Sequence, residues 1–132
     1  MFLVDTSVWI DFLRGIRNEP VEKFEHILEH GHPFGICGLI YQEILQGADS
    51  EEGFARLQEY LGTQRFYGFE DPLQGHGAAA RLYIRCRRSG ITIRSTLDCA
   101  IAQIAIENGL MLLHRDNDFD RMAGVIPELM IY

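Results

Sequence analysis

Five acidic residues stand where carboxylates can do chemistry: Asp5, Glu43, Asp98, Asp116 and Asp118. Asp5 directly follows the short apolar run Phe2-Leu3-Val4, and Asp116 and Asp118 follow a second apolar run, Leu110 to Leu113. Runs of this kind read as buried strands. In an open parallel sheet, ligands bind beyond the carboxyl ends of the strands, where the strand order switches. Two separate strand ends therefore deliver acids to one edge if both strands are central. Asp98 falls in the first turn of a predicted helix and Glu43 in the middle of another, so both can join from helices. Taken singly, each acid has an ordinary explanation as a helix cap, a dipole partner, a turn former or a solvated face.

Taken together they would repel. Two unit charges about 4 Å apart cost about 4 kcal/mol at an effective dielectric of about 20. Such a cluster persists by keeping protons, by pairing with Arg or by binding divalent cations. Oxygen-only ligands favour Mg²⁺ or Mn²⁺ over zinc, and no convergent His or Cys set competes. A bound metal lowers the pKa of a water and steadies the charge of an in-line displacement at phosphorus. That chemistry is phosphodiester hydrolysis.

The elements needed to position these acids are legible along the chain. Predicted strands are Phe2–Val4, Phe34–Cys37, Arg65–Phe69, Leu110–Leu113 and Leu129–Tyr132. Predicted helices start at Thr6 or Ser7 and run over Pro20–His30, Leu39–Gln46, Glu51–Leu61, Asp71 to about Arg88, and Thr96–Asn108, with a short one after Asp118. Gly75 and Gly77 weaken the first turns of the Asp71 helix. Strands alternating with helices imply an α/β domain with a mostly parallel central sheet of about five strands and helices on both sides. At 132 residues the chain suits one domain, residues 1–132.

With these acids and elements in place, the chain resembles PIN-domain ribonucleases, most closely the VapC-type toxins of bacterial toxin–antitoxin pairs. The resemblance is carried by FLVDTSVWIDFLRG at Phe2 to Gly15, YQEILQGA at Tyr41 to Ala48, and LDCAIAQIAIENGLMLLHRDNDFDRMA at Leu97 to Ala123. It implies a Mg²⁺- or Mn²⁺-dependent endoribonuclease that hydrolyses RNA phosphodiester bonds by metal-activated water. It also implies the catalytic acids Asp5, Glu43, Asp98 and Asp116, of which Asp5, Asp98 and Asp116 hold the principal metal. Asp118 matches an auxiliary acid, and Thr6 and Ser7 match hydroxyl residues that order Asp5 or a water. A VapB-like antitoxin and homodimerisation are implied by the family alone. The alternative is a catalytically silent PIN-like binding module whose acidic pocket receives a partner Arg.

Rival acidic sites fit less well. A receiver-type phosphoacceptor needs a late Lys, and the only lysine is Lys23. A haloacid-dehalogenase-like phosphatase needs a second acid at position 7, which is Ser7. An EF-hand fails because Arg121 and Pro127 stand where Gly and Glu are required.

The net charge of −7, from 12 basic and 19 acidic residues, weakens the simplest nucleic-acid reading, which expects a basic surface. Setting aside the five acids leaves −2, so much of the acidity belongs to a cation site. Eleven of the 12 basic residues are Arg. Arg81, Arg85 and Arg88 fall on one helix face, with Arg87 and Arg94 nearby, as a phosphate-tracking patch would, though a solvated or Glu-paired face explains the same spacing. His114, just before Arg115 and Asp116, reads as strand-end packing, and Trp9 and Phe12 as core. Three widely spaced cysteines, the lack of a leader and the lack of an apolar run of about 20 residues predict a cytoplasmic protein outside the membrane.

Overall fold

Short apolar runs become strands because each is buried from both faces by helices. The computed structural model describes all residues, Met1–Tyr132. β1 is Phe2–Val4, β2 Phe34–Cys37, β3 Phe66–Tyr67, β4 Met111–Leu113 and β5 Met130–Ile131. All pairings are parallel and the spatial order is β3-β2-β1-β4-β5. Leu3, Val4, Ile36, Cys37, Leu112 and Leu113 are buried. The edge strands β3 and β5 are two residues each, shorter than the sequence predicts, because each has a ladder on one side only.

The helices are α1 Thr6–Leu13, α2 Glu19–Glu29, α3 Gly38–Gln46, α4 Glu51–Gly62, α5 Pro72–Arg88, α6 Thr96–Glu107 and α7 Asn117–Ala123. Their starts are set by side-chain caps. Asn18 accepts from the Val21 amide, Ser50 from Gly53, and Asp71 from Leu73 and Gln74, with Pro72 opening α5. α1 packs on α2 and α3, and α3 on α4; α5 packs on α6, and α6 on α7. The result is one α/β domain, a sheet between helical layers. Trp9 is fully buried, 4.8 Å from Phe24 in a cluster that includes Phe12 and Phe34, so it is core. No helix is long and apolar enough to cross a membrane.

The chain leaves β1 towards β2 and β3, then returns across the sheet to β4 on the other side of β1. The strand order switches there, between the carboxyl ends of β1 and β4. α5 and α6 make this return, and the two glycines of α5 do different work within it. Gly75 is buried beneath the Phe69 ring, which a Cβ would overlap, whereas a Cβ at Gly77 meets nothing. Gly75→Ala should therefore destabilise the protein by about 1–3 kcal/mol. Gly77→Ala should stabilise it by about 0.5–1 kcal/mol. Urea unfolding of the two variants checks the opposite signs.

Candidate functional site

Asp5 is placed by the end of β1. Its amide donates to the Leu113 carbonyl at 2.9 Å, tying it to the end of β4. Its carboxylate caps α1, accepting from the Ser7 hydroxyl at 2.6 Å and the Ser7 amide at 3.2 Å. Ser7 Oγ in turn accepts from the Arg115 amide at 3.1 Å. One hydroxyl thus joins both strand ends and fixes the orientation of Asp5. Asp116 caps α7 through the Asp118 amide at 2.9 Å. Asp98 enters from the first turn of α6 and Glu43 from the middle of α3.

These carboxylates sense one another. Burial, then the charges of Asp5, Asp116, Glu43 and Asp118, push the Asp98 carboxyl up to about 7. Burial raises Asp5 against the hydrogen bonds from Ser7 and Thr6. Burial and the charge of Asp5 raise Glu43, eased by the Thr6 hydroxyl. Arg, the usual remedy, reaches only part of the cluster. Arg94 Nε and its amide donate to Asp118 Oδ2 at 3.1 and 3.2 Å, Arg94 Nη2 reaches Asp116 at 3.4 Å, and Arg121 reaches Asp118 at 3.3 Å. Burial alone would raise Asp118, but these Arg contacts outweigh it and hold it below the ordinary carboxylate range. Asp118 is thereby committed to two arginines, and acts on the cluster by holding Arg94 beside Asp116.

Asp5, Glu43 and Asp98 form no ion pair with Lys or Arg. Glu43 Oε1 and Thr6 Oγ1 are buried without a hydrogen-bond partner, although Thr6 faces Glu43. Buried polar oxygens left unpaired beside mutually repelling carboxylates fit a hard cation with its waters. No three His, Cys, Asp or Glu side chains close a ready-made coordination sphere. Mg²⁺ itself keeps several waters and takes few protein oxygens.

Other predicted residues fall as follows. Arg85 spends its guanidinium on Glu128, at 3.1 and 3.3 Å, so this part of the basic face is Glu-paired; Arg81 and Arg88 are exposed. His114 is buried. Its Nδ1 accepts the Asp116 amide at 3.0 Å, which leaves the proton on Nε2, 3.3 Å from Asp120. Burial keeps this ring neutral, lowering its pKa against the nearby acids. Two features escaped the sequence reading. Arg94, expected only as a neighbour of the basic patch, is paired with Asp116 and Asp118. The buried Asp11 carboxylate takes Arg115 at 2.7 Å and Asn18 at 2.8 Å, bracing the loop after β4 against α1.

The raised carboxyl pKa values fix a pH dependence. The folded chain holds protons on Asp98, Asp5 and Glu43 that the unfolded chain releases above about pH 4. Without divalent metal, stability from these groups is greatest at low pH and is lost as pH rises through about 7, the Asp98 value. The melting temperature of metal-free protein should fall from about pH 5 to about pH 8. Mg²⁺ should restore it at the higher pH far more than at the lower. Asp118 titrates below this window. His114, whose pKa burial lowers, gains stability as pH rises towards the unfolded value of about 6.5 and opposes part of the fall, so the Mg²⁺-dependent difference is the decisive readout.

The PIN domain family model matches residues 2–125. Ribonuclease VapC11 of Mycobacterium tuberculosis is 33% identical over 126 residues, 95% of this chain and 93% of that protein. Among solved structures, VapBC2 of Rickettsia felis bound to a DNA fragment from its promoter superposes with a TM-score of 0.74 at 15% identity, over 99% of this chain and 96% of that one. A toxin–antitoxin complex from Klebsiella pneumoniae gives 0.64 at 20% identity, over 98% and 96%. At these identities the two structures bear on the fold.

Proposed function

The chain belongs to the PIN domain family, and from that premise we propose that it is a divalent-metal-dependent endoribonuclease, the toxic partner of a toxin–antitoxin pair. The observation that carries the reading is the set of carboxylates Asp5, Glu43 and Asp98, gathered at the strand switch with no cationic side chain against them. Asp5, Asp98 and Asp116 would hold Mg²⁺ or Mn²⁺. Bound there, the cation supplies neutralisation of phosphate charge and a more acidic water. Ser7 holds Asp5 in orientation, and the unpaired Thr6 hydroxyl beside Glu43 is free to order a water. Glu43, whose carboxyl is raised by burial and Asp5, is suited to take or direct a proton. Arg94 spans Asp116 and solvent, where it can meet an RNA phosphate bidentately. Arg81 and Arg88 remain candidates for tracking the RNA backbone.

The partner in this reading is a VapB-like antitoxin, supported by the toxin–antitoxin complex among the structural likenesses. Homodimerisation, which the family implies, would need an exposed apolar surface. A groove of about 580 Å³ between α3, α5 and α6 is lined by Leu39, Ala80, Tyr83, Ile84 and Leu97, and Leu97 is 42% exposed. The silent-module alternative has one observation in its favour, since Arg94 already reaches Asp116. Asp5, Glu43 and Asp98, which no Lys or Arg pairs, favour the enzyme.

RNA cleavage with Mg²⁺, Mn²⁺ or EDTA separates the two. Cleavage should require the metal, and Asp98→Asn should lower it by at least about 100-fold, the upper end for loss of an outer-shell partner, while circular dichroism shows an intact fold. Cleavage in EDTA, or a fully active Asp98→Asn protein, would refute the assignment. A metal-loaded protein that cuts no RNA would support the silent module.

A further inference from the structure

Three of the five histidines gather at the end of the sheet remote from the carboxylates. The cause is local. His26 and His30 lie four residues apart at the end of α2, so their rings share one face, with centroids 4.0 Å apart. Gly31 follows at φ +64°, a left-handed conformation that glycine adopts without penalty. The Gly31 amide donates to the Leu28 carbonyl at 3.2 Å and the His32 amide to the Ile27 carbonyl at 3.0 Å. This is the Schellman termination of a helix, and it folds His32 back over the helix end. The His32 ring comes within 6.0 Å of His30 and 6.1 Å of His26, and lies 6.2 Å from Phe2. Glycine makes the turn that joins this helical pair to a residue outside the helix, so the spacing alone does not display the three rings as neighbours.

The three residues are exposed, and none forms an ion pair. His30 is already oriented: its Nδ1 lies 2.9 Å from the His26 carbonyl oxygen. A carbonyl only accepts, so Nδ1 carries the proton and Nε2 presents its lone pair. Metal-binding histidines show this arrangement, one ring nitrogen donating to a backbone carbonyl while the other ligates.

We propose that His26, His30 and His32 form a second metal site, for a borderline transition-metal dication such as Zn²⁺ or Ni²⁺. Imidazole suits these ions, whereas hard Mg²⁺ prefers oxygen, so the chain carries two donor sets that sort cations by softness. With Zn–N bonds of about 2.0–2.1 Å, three ligating rings in a tetrahedral shell have centroids about 5 Å apart. The observed separations bracket that value. The donor nitrogens do not converge in the present rotamers. Convergence takes only χ rotation of exposed side chains, a picosecond-to-nanosecond motion. An ion there clamps the end of α2 to the segment leading into β2, and leaves a fourth position open. Because β2 runs away from this cluster towards α3 and Glu43, the ion sits at the opposite edge of the sheet from the acids.

Titration of the full chain with Zn²⁺ against a chromophoric chelator, with Mg²⁺ in excess to occupy the carboxylates, tests the proposal. One equivalent of Zn²⁺ should bind. His26→Gln and His30→Gln should each weaken it at least about tenfold, and His76→Gln should leave it unchanged. Circular dichroism confirms the fold of each variant. Zn²⁺ that Mg²⁺ displaces, or binding that survives both the His26→Gln and His30→Gln substitutions, would overturn the site. So would the absence of any Zn²⁺ binding.

Discussion

Negative charge held without a positive partner at the crossing of β1 and β4 is the constraint on which the structure turns. Asp98 sits at about 7 because burial and four other acids work against its ionisation. Burial raises Asp5, and burial together with the charge of Asp5 raises Glu43. Folding gathers these groups although they repel, and apolar packing elsewhere offsets the cost. Trp9, Phe24, Leu112 and Phe119, all buried, supply burial of about 1.5–3 kcal/mol for a side chain of leucine or phenylalanine size. The arrangement makes physical sense when a cation completes it.

The parallel sheet explains why the acids meet. Strand β1 is central and β4 is its neighbour, so the residues just beyond both strands share an edge. The backbone bond from Asp5 to Leu113 and the Ser7 bridge to Arg115 lock those two ends together. The helices that follow β2 and precede β4 bring Glu43 and Asp98 to the same edge. Arg94, Arg115 and Arg121 surround the acids without neutralising all of them. Their pairing with Asp116, Asp11 and Asp118 divides the acidic residues into a braced set and an unbraced one.

Much of this was legible in the sequence. Asp5 after Phe2-Leu3-Val4 and Asp116 after Leu110–Leu113 marked the edge, because a strand buried on both faces is a continuous apolar run. The helical periods around Glu43 and Asp98 added the other two acids. What escaped depended on contacts distant in sequence. Nothing in the spacing shows that Asp118 is spent on Arg94 and Arg121, or that Arg85 is spent on Glu128. Gly75 read as a helix weakness until Phe69 was seen to lie against it. The histidine cluster needed the backbone bonds around Gly31. The net charge of −7, at first an argument against RNA, reflects in part the acids gathered at one edge of the sheet.

The most direct measurement is the titration of the Asp98 carboxyl carbon by NMR, without and with Mg²⁺. The account predicts a midpoint near about 7 in metal-free protein, displaced downward by at least about one unit when Mg²⁺ is bound. A midpoint near the ordinary aspartate value of about 4, unmoved by Mg²⁺, would contradict it.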